Sequence, residues 1–225
     1  MRRIFLCCSA LALFCSLPVA QAGVEIGGTR VVYDGKMKQA TIGINNPDDK
    51  PYLIQSWVNK RADSDDAGEM FITTPPLFRL EPHSQNSVRI ALTGSTLPQD
   101  RESVYWLNIK SIPSTDKNAS NDLKIAVKNT MKLFYRPAGL PGDPATAYQK
   151  VEFKQRDGKL FAFNPTAYSV SFYDVKINGV ALQDPLMVLP KEEVSLGSVS
   201  ARAPEISWRA INDFGGISEE QKVKL

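Results

Sequence analysis

A polypeptide that works by acid, base or nucleophile needs two or three titratable side chains that can meet, and this sequence offers few. Its 225 residues include one histidine and three cysteines. His83 sits in the polar stretch Glu81-Pro82-His83-Ser84-Gln85, the composition of a solvated turn, and has no second histidine with which to build a relay or a metal cluster. Cys7, Cys8 and Cys15 all fall in an apolar run at the N-terminus. Asp213-Phe214-Gly215 spells a triplet known from kinases, but without a glycine-rich nucleotide loop or a catalytic-loop motif it reads as a turn. The expectation is a protein with no catalytic residue, no metal and no cofactor.

What the sequence does offer is strand chemistry. In residues 121–136, Leu123, Ile125 and Val127 share one face and Lys124 and Lys128 mark the other. Extended throughout, that segment would be about 16 residues long, against roughly five or six for a typical strand. A strand that outruns its neighbours leaves unpaired backbone and a row of side chains at a sheet edge, where another chain can add, and lysines keep such an edge soluble. The plainer alternative is that the three aliphatic residues face their own core.

The elements that would position this segment are themselves strands. Val88, Ile90 and Leu92 alternate with polar or small residues, as do Tyr105, Leu107 and Ile109, while Asn45-Asn46-Pro47-Asp48-Asp49 and Pro75-Pro76 punctuate the chain where strands should end. Asp157-Gly158 and Asn178-Gly179 are the strongest short hairpin signals. Pro137-Ala138-Gly139-Leu140-Pro141-Gly142-Asp143-Pro144 suits neither strand nor helix and reads as a linker. The fold class expected is all-β, with one sandwich on each side of that linker.

Arg2 and Arg3, the apolar run Ile4 to Leu17 and the small residues Ala20 and Ala22 have the form of a secretory signal peptide, 1–22. Its removal would lower the net charge from +3 to +1, too little for phosphate backbones, so no nucleic-acid partner is expected, nor membrane insertion. The remainder would hold no cysteine, and its stability would rest on core burial. Boundaries follow at 23–138, 139–145 (linker) and 146–225.

The string from Leu97 to Pro113, LPQDRESVYWLNIKSIP, closely resembles the signature of periplasmic pilus-assembly chaperones of the chaperone–usher pathway. So do Gly28-Thr29-Arg30-Val31-Val32-Tyr33, Tyr52 to Trp57, Thr74 to Phe78, Lys132 to Pro137, Asn164-Pro165-Thr166 and Ile211 to Gly216. The resemblance implies two immunoglobulin-like domains meeting at an angle around a cleft. It implies that pilus or fimbrial subunits are bound, folded and capped in the periplasm and delivered to an outer-membrane usher. By this likeness Arg30 and Lys132 would hold the subunit's terminal carboxylate, a guanidinium fork beside a compact ammonium. Leu123, Ile125 and Val127 would be lent as a donor strand, contributing about 5–9 kcal/mol before ordering costs. Glu102, Arg136 and Asp213 would form a charge network between the domains. The short connection from Pro113 to Leu123 resembles the short-loop branch of the family. Still open at this level are a secreted adhesin or fimbrial subunit as the alternative, the fimbrial system served, and whether a free copy pairs with another as a self-capping homodimer.

Overall fold

The computed structural model describes residues 23–64, 68–94, 97–115, 123–183, 186–199 and 204–225; the expected signal peptide lies outside the described residues. In the first half, β1 (Glu25–Ile26), β2 (Arg30–Asp34), β3 (Ala40–Asn46), β4 (Tyr52–Asn59), β5 (Phe71–Thr74), β6 (Leu77–Leu80), β7 (Ser84–Leu92), β8 (Ser103–Pro113) and β9 (Val127–Arg136) make two sheets, ordered β1-β3-β7-β5 and β2-β9-β8-β4-β6. In the second half, β10 (Glu152–Arg156), β11 (Lys159–Phe163), β12 (Val170–Ile177), β13 (Val180–Ala181), β14 (Met187–Val188), β15 (Glu193–Ser198), β16 (Glu205–Ala210) and β17 (Gln221–Lys224) form β10-β11-β15 and β13-β12-β16-β17, with β14 added to β12. Apart from one short 3₁₀ turn, Ala147–Lys150, the described residues contain no helix. The molecule is thus two β-sandwich domains.

Alternation decides what fills each core. Val88 and Ile90 of β7 and Tyr105, Leu107 and Ile109 of β8 are buried together with Val31, Tyr33 and Leu133. Tyr33, Phe71, Tyr105 and Tyr135 form an aromatic cluster in which Phe71 meets Tyr105 edge-on at 4.9 Å. A separate core in the second domain packs Phe153 4.7 Å from Trp208, whose indole N–H donates to the Tyr148 carbonyl at 2.9 Å. Both Asx-Gly pairs are hairpin turns with positive φ at each residue, 50° and 70° at Asp157-Gly158 and 49° and 82° at Asn178-Gly179. The break expected from Asn45 begins later, because β3 continues through Asn46. Buried Asn46 donates to the carbonyls of Lys50 and Glu81, both at 2.9 Å, and so closes the turn from inside the strand.

Residues 121–136 do not form one long strand. The ladder between β8 and β9 stops at the pair Ser111 and Val127, and β8 ends at Pro113, which has no N–H to offer a neighbour. Leu123 to Ala126 therefore run on without strand pairing, while Asn121 and Asp122 lie outside the described residues. On its other side β9 pairs with β2 in parallel, but only from Lys132 onward. Before Arg30 the chain crosses at Gly27–Gly28 to the opposite sheet, with the Gly27 N–H bound to the Gly43 carbonyl at 2.9 Å. Among the described residues, nothing pairs with that edge of β9 between Val127 and Met131.

Candidate functional site

Because strands alternate, Val31 and Tyr33 of β2 and Met131, Leu133 and Tyr135 of β9 enter the first core, while Arg30, Lys132 and Arg136 point the other way. That outward row meets the second domain. The parallel register sets Arg30 directly beside Lys132. An Arg30 Nη1 donates to the Ile211 carbonyl at 3.0 Å, and Lys132 Nζ donates to Ser171 Oγ at 3.0 Å, so each cation is steadied by one neutral acceptor from the other domain. Buried Phe134 lies under the Arg30 guanidinium, 5.7 Å from ring centroid to charge.

Neither cation of this pair has an ion-pair partner among the described residues, and Arg30 Nε is buried with no hydrogen-bond acceptor. Burial pulls the Lys132 ammonium down to about 8, and the neighbouring Arg30 charge adds to the effect. Burial also lowers Arg30, against a weaker upward pull from Asp213. Two half-buried cations side by side, with donors unused, are equipped to receive an anion, and a carboxylate's two oxygens suit a fork beside an ammonium.

A second constellation centres on Arg136, four residues along β9 from Lys132 on the same face. Arg136 donates through Nε to Glu102 Oε1 at 2.6 Å and through both terminal nitrogens to Asp213, at 2.7 and 2.9 Å. Glu102, 4% exposed, accepts the Ser169 N–H at 2.7 Å with its other oxygen, and its own N–H reaches the Ala167 carbonyl at 2.9 Å. Burial pushes the Glu102 carboxyl above its usual range despite the pull of Arg136 and Ser169. Burial would lower Arg136 too, but its two carboxylate partners hold it above its ordinary value. Glu102, Arg136 and Asp213 thus meet, tying β8 and β9 to two turns of the second domain.

Leu123, Ile125 and Val127 are 86%, 67% and 49% exposed, so they are not sealed under their own sandwich. They lead into the unpaired edge of β9, beside an open hollow between Gly28–Thr29 and Asn129–Met131 with Val24 and Ile26 in its wall. This edge continues the line of β2 backwards. A chain added there parallel to β9, as β2 is, would end its run at Arg30 and Lys132.

Sequence reasoning missed the second-domain partners of Arg30, Lys132 and Glu102. Ser171 is a buried serine in a core strand, a detectable oddity, but the Ile211 carbonyl and the Ser169 N–H are backbone groups that carry no sequence signal. His83 is exposed in a turn with φ 51°, 2.8 Å from Asp49, and Asp213-Phe214-Gly215 is a turn. No group of metal-binding residues occurs among the described residues.

Residues 23–141 match the family profile "Pili and flagellar-assembly chaperone, PapD N-terminal domain", and residues 146–222 match "Pili assembly chaperone PapD, C-terminal domain". The chain is 42% identical over 219 residues to the probable fimbrial chaperone LpfB of Escherichia coli O157:H7, covering 93% of this chain and 92% of that one. It is 39% identical over 203 residues to the chaperone FimC of Escherichia coli K12, covering 88% and 83%. Its structure superposes with a TM-score of 0.81 and 32% identity on a chain from the complex of the Salmonella enterica SafA pilin with the SafB chaperone, covering 92% and 99%. Matched across both sandwiches, and by relatives well above 30% identity over nearly its full length, the chain belongs to the PapD-like family of pilus-assembly chaperones.

Proposed function

We propose that this protein captures unassembled pilus or fimbrial subunits in the periplasm, having been exported by residues 1–22, and passes them to an outer-membrane usher. The first domain, 23–138, binds the subunit; residues 139–145 link it to the second, 146–225. Leu123, Ile125 and Val127 complete the subunit's unfinished sandwich, and Arg30 and Lys132 grip its terminal carboxylate. The grip sets register: Val127 and Lys132 are five residues apart, about 17 Å at roughly 3.3 Å per residue, so fixing the carboxylate fixes which groove position each aliphatic side chain fills. Glu102, Arg136 and Asp213 hold the cleft open at one angle. No cofactor takes part; the short loop before Leu123 suits ordinary rod-type fimbriae.

The observation that carries this reading is the edge of β9, collinear with β2, that no described strand pairs, ending at two cations with no ion-pair partner among the described residues. The SafB chaperone in the solved complex is bound to a pilin, which agrees with a subunit as partner. Membership of a chaperone family disfavours the alternative of an adhesin or subunit. The test is recovery from a periplasmic extract: the protein should elute one-to-one with a smaller subunit identifiable by mass. Elution of the protein alone, with glycan binding of its own, would overturn the reading.

Two further outcomes are expected. An Ile125→Ser variant should melt as the wild type does, since the side chain is exposed, yet bind subunit about 10- to 100-fold more weakly, matching ~1.5–3 kcal/mol for an aliphatic side chain buried only in the complex; unchanged affinity would remove Ile125 from the donor set. Affinity should also depend on pH. In the free protein Lys132 gives up its proton near pH 8, whereas a carboxylate beside it would keep it charged to higher pH. Binding above pH 8 then takes up a proton, so affinity falls by up to about tenfold per pH unit as pH rises. Lys132→Arg should flatten the profile, and a flat profile in the wild type would contradict the role of Lys132.

A further inference from the structure

The second domain places one conspicuous apolar group next to the anchor: Phe214, 97% exposed. Its turn is not loose. Asn212 Oδ1 accepts the N–H groups of Phe214 and Gly216 at 3.0 and 2.9 Å, the Asn212 N–H reaches the Gly216 carbonyl at 2.8 Å, and the Asp213 carboxylate is clamped by Arg136. Ile211, at the start of the turn, gives its carbonyl to Arg30. Gly215, φ 86°, lies so close to Thr29 that an added Cβ would come within 2.8 Å of Thr29 Oγ1, so the turn is seated against the wall of the hollow beside Asn129–Met131. An aromatic ring so exposed contributes little to folding, yet the turn that carries it is braced internally by Asn212 and tied to the first domain at Arg30, Thr29 and Arg136.

We propose that Phe214 is a client contact: it packs against the last residues of the subunit's terminal strand as they pass Thr29 to reach Arg30 and Lys132. This rests on the reading above and adds a second-domain surface to a binding site otherwise built from the first. The occupant is the client because the turn is continuous with the anchor through Ile211 and with the hollow through Thr29. A rigidly presented aromatic pays its ordering cost before binding, the condition under which one side chain contributes most. The second domain would then hold the client's tail from the side opposite β9.

The probe is a synthetic peptide of about ten residues, enough to run from Val127 to Lys132 at ~3.3 Å per residue, alternating valine and serine and ending in a free carboxylate, beside its C-terminally amidated twin. Phe214→Ser should leave the melting temperature unchanged and weaken binding of the acid peptide about tenfold through faster dissociation, with Phe214→Trp restoring it. If Phe214→Ser binds within about twofold of wild type while amidation still weakens binding, Phe214 is not a client contact and the anchor stands. Equal wild-type binding of acid and amide forms, or none at about 1 mM, overturns the anchor reading and this inference with it.

Discussion

Arg30→Ala or Lys132→Ala is expected to leave a folded protein that no longer recovers any subunit from the periplasm. Removing either cation costs the fold little: among the described residues each makes one hydrogen bond to a neutral acceptor, worth about 1.5–3 kcal/mol for a charged donor, and the burial of its charge offsets much of that. In the complex the balance reverses. The carboxylate would sit in a half-buried cleft with one cation instead of two, and truncating one partner of such a pair costs about 2–5 kcal/mol, or roughly 30- to several thousand-fold in affinity. Register would be loosened as well, since the gripped carboxylate sets where the tail stops along β9. Thermal melts and subunit co-elution measured on the same preparations separate the two effects. Normal recovery by both variants would sink the anchor; unfolding of both would show that the cations serve stability instead.

The largest effect on stability is expected from Arg136→Ala. It leaves Glu102 buried with a single backbone N–H as partner and Asp213 without its bidentate contact, and breaking a buried pair from one side costs about 3–5 kcal/mol. Urea midpoints should fall accordingly, and small-angle scattering should report a wider spread of domain orientations. Arg136→Lys should recover little, because an ammonium cannot present the planar fork that Glu102 and Asp213 share. Replacing the buried pair by neutral groups, Glu102→Gln with Arg136→Met, should be milder than Arg136→Ala alone, since the buried Glu102 charge is no longer stranded and only the more exposed Asp213 loses its partner. A loss under about 1 kcal/mol for Arg136→Ala would reduce the network to the status of a surface contact.

The sequence by itself determined the local features. Alternation at Val88–Ile90 and Tyr105–Ile109 marked strands and their buried faces, and Asp157-Gly158 and Asn178-Gly179 marked hairpins, because side-chain period and positive φ are properties of neighbouring residues. The string from Leu97 to Pro113 carried the family. Only the tertiary structure decided which distant residues face one another. That β2 lies parallel to β9, and so sets Arg30 beside Lys132, depends on where the chain crosses between sheets at Gly27–Gly28. The strand begins at Val127 instead of continuing from residue 121 because β8 ends at Pro113, and a strand's length is set by its partner. Ser171 and the Ile211 carbonyl reach Lys132 and Arg30 only because two separately packed cores are docked across Arg136, an arrangement of long-range contacts that no periodicity encodes.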